Sequence, residues 1–274
     1  MKNIIVPIDF SIQSENALRV AASLAKKHGS TIYALHMLEL NEAYITSTQG
    51  FQPEQTVFLM KLAEKRFSEF INKPFLKDVE VKPVIKHYKV FSEVNEVAAA
   101  NNADMVIMGS NGTDGLLEIF IGSNTEKVVR NSEIPVLVIK HEAKEFTPQS
   151  MVFACDLKEE NIHAYQRAIY IAKQFSVQLH VLYVNTPGDN FLSTDDITAK
   201  IAKFSAVVGP EFLEVKIYND YSVEKGVFNY AESEGIDIIG IPTHGRKGLS
   251  HFFMGSIGED IANHSTIPVI TFKI

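Results

Sequence analysis

The chain alternates between short apolar runs and longer segments whose apolar residues recur at helical spacing, and it does so twice. Asn3–Ile8 is a β-branched run that predicts a strand. Ser14–His28 carries Ala17, Val20, Ala21 and Leu24 three or four residues apart, the period of an amphipathic helix, and Gly29 is placed to stop it. Thr31–Leu38 predicts a second strand, Glu54–Ile71 a helix, Val79–Ile85 a third strand and Phe91–Asn101 a third helix. Asp104–Met108, Ser123–Arg130 and Pro135–Ile139 follow as strand, helix and strand. Continuous apolar strands separated by helices argue for a parallel sheet covered on both faces.

The second half repeats the first. Residues 101–140 align with residues 234–273 without a gap, with identities at Asp104/Asp237, Gly112/Gly245, Gly122/Gly255, Ser123/Ser256, Pro135/Pro268 and Lys140/Lys273, among others. Ile4–Asp9 likewise resembles Met151–Asp156, each an apolar run ending in aspartate, and Thr31–Leu38 resembles Gln178–Asn185. The offset between copies falls from 147 to 133, so the first copy carries about fourteen more residues, near Glu39–Gln55. Two large modules follow, 1–142 and 149–274, joined by a short polar linker that contains a proline. The expected fold is α/β: two tandem copies of a doubly wound, Rossmann-like, five-stranded parallel sheet in the order 3-2-1-4-5.

The fourth strand of the first copy leads into Gly109-x2-Gly112-x9-Gly122-Ser123. This spacing reads as a phosphate-binding loop ahead of a helix. A helix N-terminus offers unpaired N–H groups and partial positive charge to an anion, and glycines allow positive φ and close backbone approach. Ser123 suits both an N-cap and a hydrogen-bond donor to phosphate. Asp9 ends the first strand and Gly109 follows the fourth, and in a 3-2-1-4-5 sheet those strands are neighbours at the point where strand order reverses. Asp9 and Asp156 read equally well as plain N-caps of the helices after them. In the second copy the pattern becomes Pro242-x2-Gly245-x9-Gly255-Ser256, and Cys155 and Lys158 stand where the first copy has Ile8 and Ser11.

Composition narrows the function classes. Charged residues make up 22% and the net charge is −7, which argues against a general nucleic-acid binder. No apolar stretch approaches a membrane span and no leader is evident, so the expected location is the cytoplasm. The lone Cys155 lies in an apolar run and reads as a buried, inert thiol. His244, His251 and His264 lie near one another without a ligand framework, and no metal site is expected. Phe51, Phe58, Phe67, Phe70 and Phe75 read as core or interface. A Walker pattern is absent.

On Ile5-Val6-Pro7-Ile8-Asp9, His36-Met37, Met108-Gly109-Ser110-Asn111-Gly112, Gly122-Ser123 and Pro135-Val136-Leu137-Val138, the chain resembles the universal stress protein family in its tandem form. In that family the G-x2-G-x9-G-[S/T] pattern marks the members that bind ATP. The resemblance implies four helices and a five-stranded sheet per module, and modules paired through their last strands. It implies that Pro7, Ile8 and Asp9 lie beside the ribose and base, that Met37 contacts the adenine, and that Met108, Gly109 and Ser110 contact the nucleoside. Gly112, Gly122, Ser123 and Asn124 would hold the phosphates, with Mg²⁺ as the companion of ATP. Asp156, Val184, Gly245, Gly255 and Ser256 would form a weaker second site.

Three readings compete. The first is a stress-response or regulatory protein that binds ATP, or another adenine nucleotide, in the first module and uses the second structurally, with an unidentified protein partner. The second is a slow ATP hydrolase, for which Asp114 and Glu118 are the acids at hand and no arginine finger is evident. The third is a ligand-free scaffold, because Pro135–Ile139 and Pro268–Phe272 end their modules as apolar edge strands that invite pairing. They are expected to pair within the chain as a pseudo-dimer, and a homodimer of two chains is also compatible with the sequence.

Overall fold

The computed structural model describes residues 1–38, 53–87, 90–110, 123–140, 145–243 and 267–274. The chain divides into two compact units, with the boundary between Phe146 and Thr147.

The first unit runs β1 (Asn3–Ile8), α1 (Ile12–His28), β2 (Thr31–Leu38), α2 (Pro53–Phe70), β3 (Val81–His87), α3 (Val90–Ala100), β4 (Met105–Gly109), α4 (Ser123–Asn131) and β5 (Val136–Ile139). The strands are parallel and ordered β3-β2-β1-β4-β5. The central strands are apolar on both faces because helices cover both: Ile4, Ile5, Val6, Met105, Val106 and Ile107 are fully buried. Helix α1 turns Ala17, Leu18, Val20, Ala21, Leu24 and Ala25 inward. Glu15 in its first turn and Lys26, Lys27 and His28 in its last suit the helix dipole. Gly29 ends it at φ 66, where a side chain would be strained.

The second unit repeats the plan: β6 (Ser150–Ala154), α5 (Ile162–Phe175), β7 (Gln178–Asn185), α6 (Thr194–Val208), β8 (Val215–Asn219), α7 (Val223–Ser233), β9 (Ile238–Thr243) and β10 (Val269–Lys273). Its parallel order is β8-β7-β6-β9-β10, again 3-2-1-4-5 counted from its own first strand. The Asp104/Asp237 identity has a structural cause. Asp104 Oδ2 accepts the amides of Lys2 and Asn3, and Asp237 Oδ2 accepts those of Gln149 and Ser150, so each aspartate clamps the start of its module's first strand.

Several boundaries differ from expectation by one or two residues, and two of them have a clear local reason. Strand β3 begins at Val81, not Val79, because a 3-10 turn at Pro74–Leu76 continues through Lys77 and Asp78, with Asp78 at φ 64 and the Val79 amide donating to the Leu76 carbonyl. Pro83 within β3 is tolerated because β3 is an edge strand of its unit. Helix α1 begins at Ile12, two residues before the expected start, because its N-cap is Ser11: the Ser11 hydroxyl accepts the Ser14 amide.

Candidate functional site

At the carboxyl end of β1 the sheet opens. The Asp104 amide donates to the Asn3 carbonyl and the Thr31 amide to the Lys2 carbonyl, so odd residues of β1 face β4 and even residues face β2. Pairing of β1 with β4 stops at Ile5↔Val106, whereas pairing with β2 continues to Ile8↔His36. Pro7 faces β4 two residues past the last pair, so its missing N–H costs no ladder bond there. Pro7, Ile8 and Asp9 on one side and Met108, Gly109 and Ser110 on the other flank the opening.

Asp9 is exposed, and Phe10 after it adopts a left-handed φ of 66. This turn folds Ser11 back, so that the Asp9 Oδ1 accepts both the Ser11 amide (3.0 Å) and the Ser11 hydroxyl (2.5 Å). Asp9 is therefore not the N-cap but the anchor of the residue that is. Partial burial opposes its charge, but the Ser11 hydroxyl and amide, with Ser14, outweigh this and hold Asp9 below its ordinary value. Both Ser11 donors fall on the one oxygen, Oδ1. The left-handed Phe10 is a costly conformation for a side chain of that size. It is held by an aromatic cluster: the Phe10 ring lies 4.5 Å from His36 and 5.5 Å from both Phe67 and Phe70. The ring nitrogen Nδ1 of His36 is 2.8 Å from the Ile8 carbonyl. Phe67 is core, as expected, whereas Phe58 is 65% exposed.

Across the opening, Gly109 is required for a different reason than loop geometry. It lies in β4 without positive φ, and a Cβ there would sit 2.4 Å from the Gln13 carbonyl oxygen. Glycine at this position lets the first turn of α1 close against β4. Thr125 of α4, not anticipated from sequence, donates its hydroxyl to the Gly109 carbonyl (3.1 Å) and ties the start of α4 to the end of β4. Ser110 is buried, and its amide and hydroxyl both donate to the Ile139 carbonyl. The Met108 side chain is buried and Met37 is half-buried on β2. Helix α4 starts at Ser123, followed by Asn124. Gly112 and Gly122 lie outside the described residues, as do the side chains of Ser123 and Asn124.

The second unit repeats the turn with altered chemistry. Leu157 has φ 58 where Phe10 has 66. Asp156 Oδ1 accepts the Lys158 amide (3.0 Å) and the Asn161 side-chain amide, and Oδ2 receives the Lys158 ammonium at 2.9 Å. That hydrogen bond and charge raise Lys158 above its ordinary value. Asp156 is not an N-cap either: a 3-10 turn over Glu159–Asn161 intervenes and α5 begins at Ile162 behind Asn161. Pro242 is accommodated in β9 because the Ile239 amide donates to the Pro268 carbonyl, which turns even residues toward β6, and β6 has already separated at Phe153↔Gly240. Thr243 repeats Ser110, buried with its hydroxyl toward the Phe272 carbonyl. Burial pushes the Cys155 thiol up to about 12. Val184 is buried, and its side chain fills the space where a Cβ on Gly226 would stand. Gly245, Gly255 and Ser256 lie outside the described residues. No described helix is long and apolar enough to cross a membrane.

Comparison with known proteins places both halves in one family. The model of the Universal stress protein family matches residues 1–140 and again 148–273. Universal stress protein MJ0577 of Methanocaldococcus jannaschii is 31% identical over 153 residues, 51% of this chain and 94% of that protein. Universal stress protein Slr1230 of Synechocystis is 22% identical along the full length of both chains. The crystal structure of a universal stress protein from Archaeoglobus fulgidus superposes with a TM-score of 0.70 at 22% identity, covering 99% of this chain and 96% of that one. The chain therefore belongs to the universal stress protein family, with two of its domains in tandem.

Proposed function

We propose that the first module binds an adenine nucleotide, ATP in the leading case, and that the protein acts as a nucleotide-responsive regulatory or stress protein. The observation that carries this reading is the opening between β1 and β4, with an exposed, ionised Asp9 at its lip whose two Ser11 donors both fall on Oδ1. Ribose hydroxyls are donors that match a carboxylate, and ligands of parallel α/β sheets bind at this point of the topology. Pro7, Ile8, Met37, Met108 and Gly109 would supply walls and backbone contacts for the nucleoside. Gly112, Gly122, Ser123 and Asn124 would receive the phosphates, with Mg²⁺ as their companion. The family pattern of glycines supports the same assignment.

Calorimetric titration of the full chain with ATP in the presence of Mg²⁺ tests the reading. Binding that Asp9→Ala removes is the expected result. No heat and no thermal shift at saturating ATP would overturn it.

A further inference from the structure

We infer that Thr125 is the positioning residue for the phosphate end of the first module's site: its hydroxyl fixes the start of α4 against the end of β4, and thereby sets how tightly the phosphates, as distinct from the nucleoside, are held. The inference rests on the nucleotide reading above and deepens it. Thr125 is the third residue of α4 and is 3% exposed. Its hydroxyl donates to the Gly109 carbonyl at 3.1 Å. The direction of that carbonyl matters. The amides of Val106 and Ser110 donate to the Pro135 and Ile139 carbonyls, so even residues of β4 face β5, and Gly109 faces the other way, toward β1. Pairing of β1 with β4 has ended at Ile5↔Val106, so β1 supplies no ladder bond to Gly109. The carbonyl points into the opening, and the Thr125 hydroxyl meets it there.

The far end of α4 is tied as well. Asn95 of α3 donates its side-chain amide to the Asn131 carbonyl at 2.7 Å and accepts the Glu133 amide at 3.2 Å. A side chain therefore holds α4 at each end. Neither tie belongs to the scaffold that the two copies share. At the offset of 133 that relates the copies over this stretch, Val90–Ala100 corresponds to Val223–Ser233, Asn95 to Phe228 and Thr125 to Gly258. Phenylalanine and glycine carry no side-chain donor or acceptor. The aspartate clamps on the first strands, by contrast, recur in both copies. A helix N-terminus receives phosphate through backbone N–H groups, and holding those groups in place before the ligand arrives lowers the ordering cost of binding. In the proposed site the nucleoside lies against β1, β2 and β4, so α4 bears on the phosphates alone.

The test titrates the full chain by calorimetry with ATP and Mg²⁺, and separately with adenosine. The proteins compared are the wild type, Thr125→Val, which keeps the shape and removes the hydroxyl, and Thr125→Ser, which restores it. Asp9→Ala assigns the binding to the first module. Thr125→Val is expected to weaken ATP by roughly fivefold to tenfold, the worth of one hydrogen bond, and to leave adenosine within about twofold of the wild type. Thr125→Ser is expected to regain the wild-type affinity for ATP. Equal loss for ATP and adenosine would overturn the positioning role, because it would report general damage to the module. Unchanged ATP binding by Thr125→Val, or a serine variant as weak as the valine one, would also overturn it while leaving the proposed function standing. Thr125→Ala stands in if the valine variant does not fold. Failure of both to fold would likewise overturn the inference, since the hydroxyl would then serve the fold. A wild type that binds no ATP would remove both readings.

Discussion

The two modules share a scaffold and differ at its mouth. Asp9 and Asp156 end equivalent strands, precede equivalent left-handed residues and anchor equivalent amides, yet among the described residues Asp9 receives only neutral donors, whereas Asp156 also receives the Lys158 ammonium and the Asn161 side-chain amide. Beside them, Gly109 brings α1 against β4, whereas the second module has Pro242 and begins its helix three residues later, after a 3-10 turn. Duplication preserved what holds the sheet together, including the Asp104 and Asp237 clamps, and varied what faces the opening. Repetition of a residue in both copies is therefore evidence of architecture as readily as of ligand binding.

The comparison yields predictions of decreasing size. Gly109→Ala drives a Cβ into the Gln13 backbone and should destabilise the first unit by roughly 3 kcal/mol. Denaturant unfolding of the full chain would show this as an earlier transition. An effect under about 0.5 kcal/mol would mean that α1 does not need the close approach.

Lys140 comes next. Burial depresses its ammonium from 10.5 to about 8. The folded state therefore releases this proton earlier than the unfolded chain does. Between about 8 and 10.5 the unfolded state binds more protons, so the penalty of burying the charge is present in full at neutral pH and fades as pH rises through that window. The pH-dependent part of the effect of Lys140→Met should favour the variant by about 2–3 kcal/mol at pH 7 and vanish near pH 11. A gain that does not depend on pH would reject burial of charge as its cause.

Smaller effects compare equivalent positions. Ser176 ends α5 at φ 61, where Gly29 ends α1 at φ 66. Ser176→Gly should stabilise by about 0.5–1 kcal/mol and Gly29→Ser should cost a similar amount, since no atom stands within 4 Å of a Cβ at Gly29 and only backbone strain opposes it. Thermal unfolding checks both, and equal signs would break the equivalence. Cys155, whose Ile8 counterpart carries no reactive group, should resist iodoacetamide at pH 8 in the native state and react once the chain is unfolded. Rapid native alkylation, followed by mass spectrometry, would contradict its burial.

Much of the fold was legible in the sequence because the strands are continuous apolar runs and the helices carry a clear period. β1 and β2 fall on the residues that the pattern marks, and Gly29 is the stop that it predicts. The start of β3 was not legible, because Val79 looks like a strand residue and is consumed by a turn. The site was legible as a place, at Asp9 and Gly109, but less so as a mechanism. An aspartate before a helix is indistinguishable in sequence from an N-cap, and only the left-handed φ of Phe10 makes Ser11 the cap and Asp9 its support. Gly109 reads as a loop glycine until the distance to Gln13 shows a packing requirement. Ser110 reads as a ligand contact, but its hydroxyl is spent on Ile139. Thr125 gave no signal, because an unexceptional helical threonine reveals its bond to Gly109 only in three dimensions.

The most direct measurement is the number of adenine nucleotides bound per chain at saturation, compared between wild type, Asp9→Ala and Asp156→Ala. One per chain in the wild type, lost with Asp9→Ala and retained with Asp156→Ala, is the result expected if the first module alone holds the nucleotide. Equal loss in both variants, or binding that neither variant alters, would contradict it.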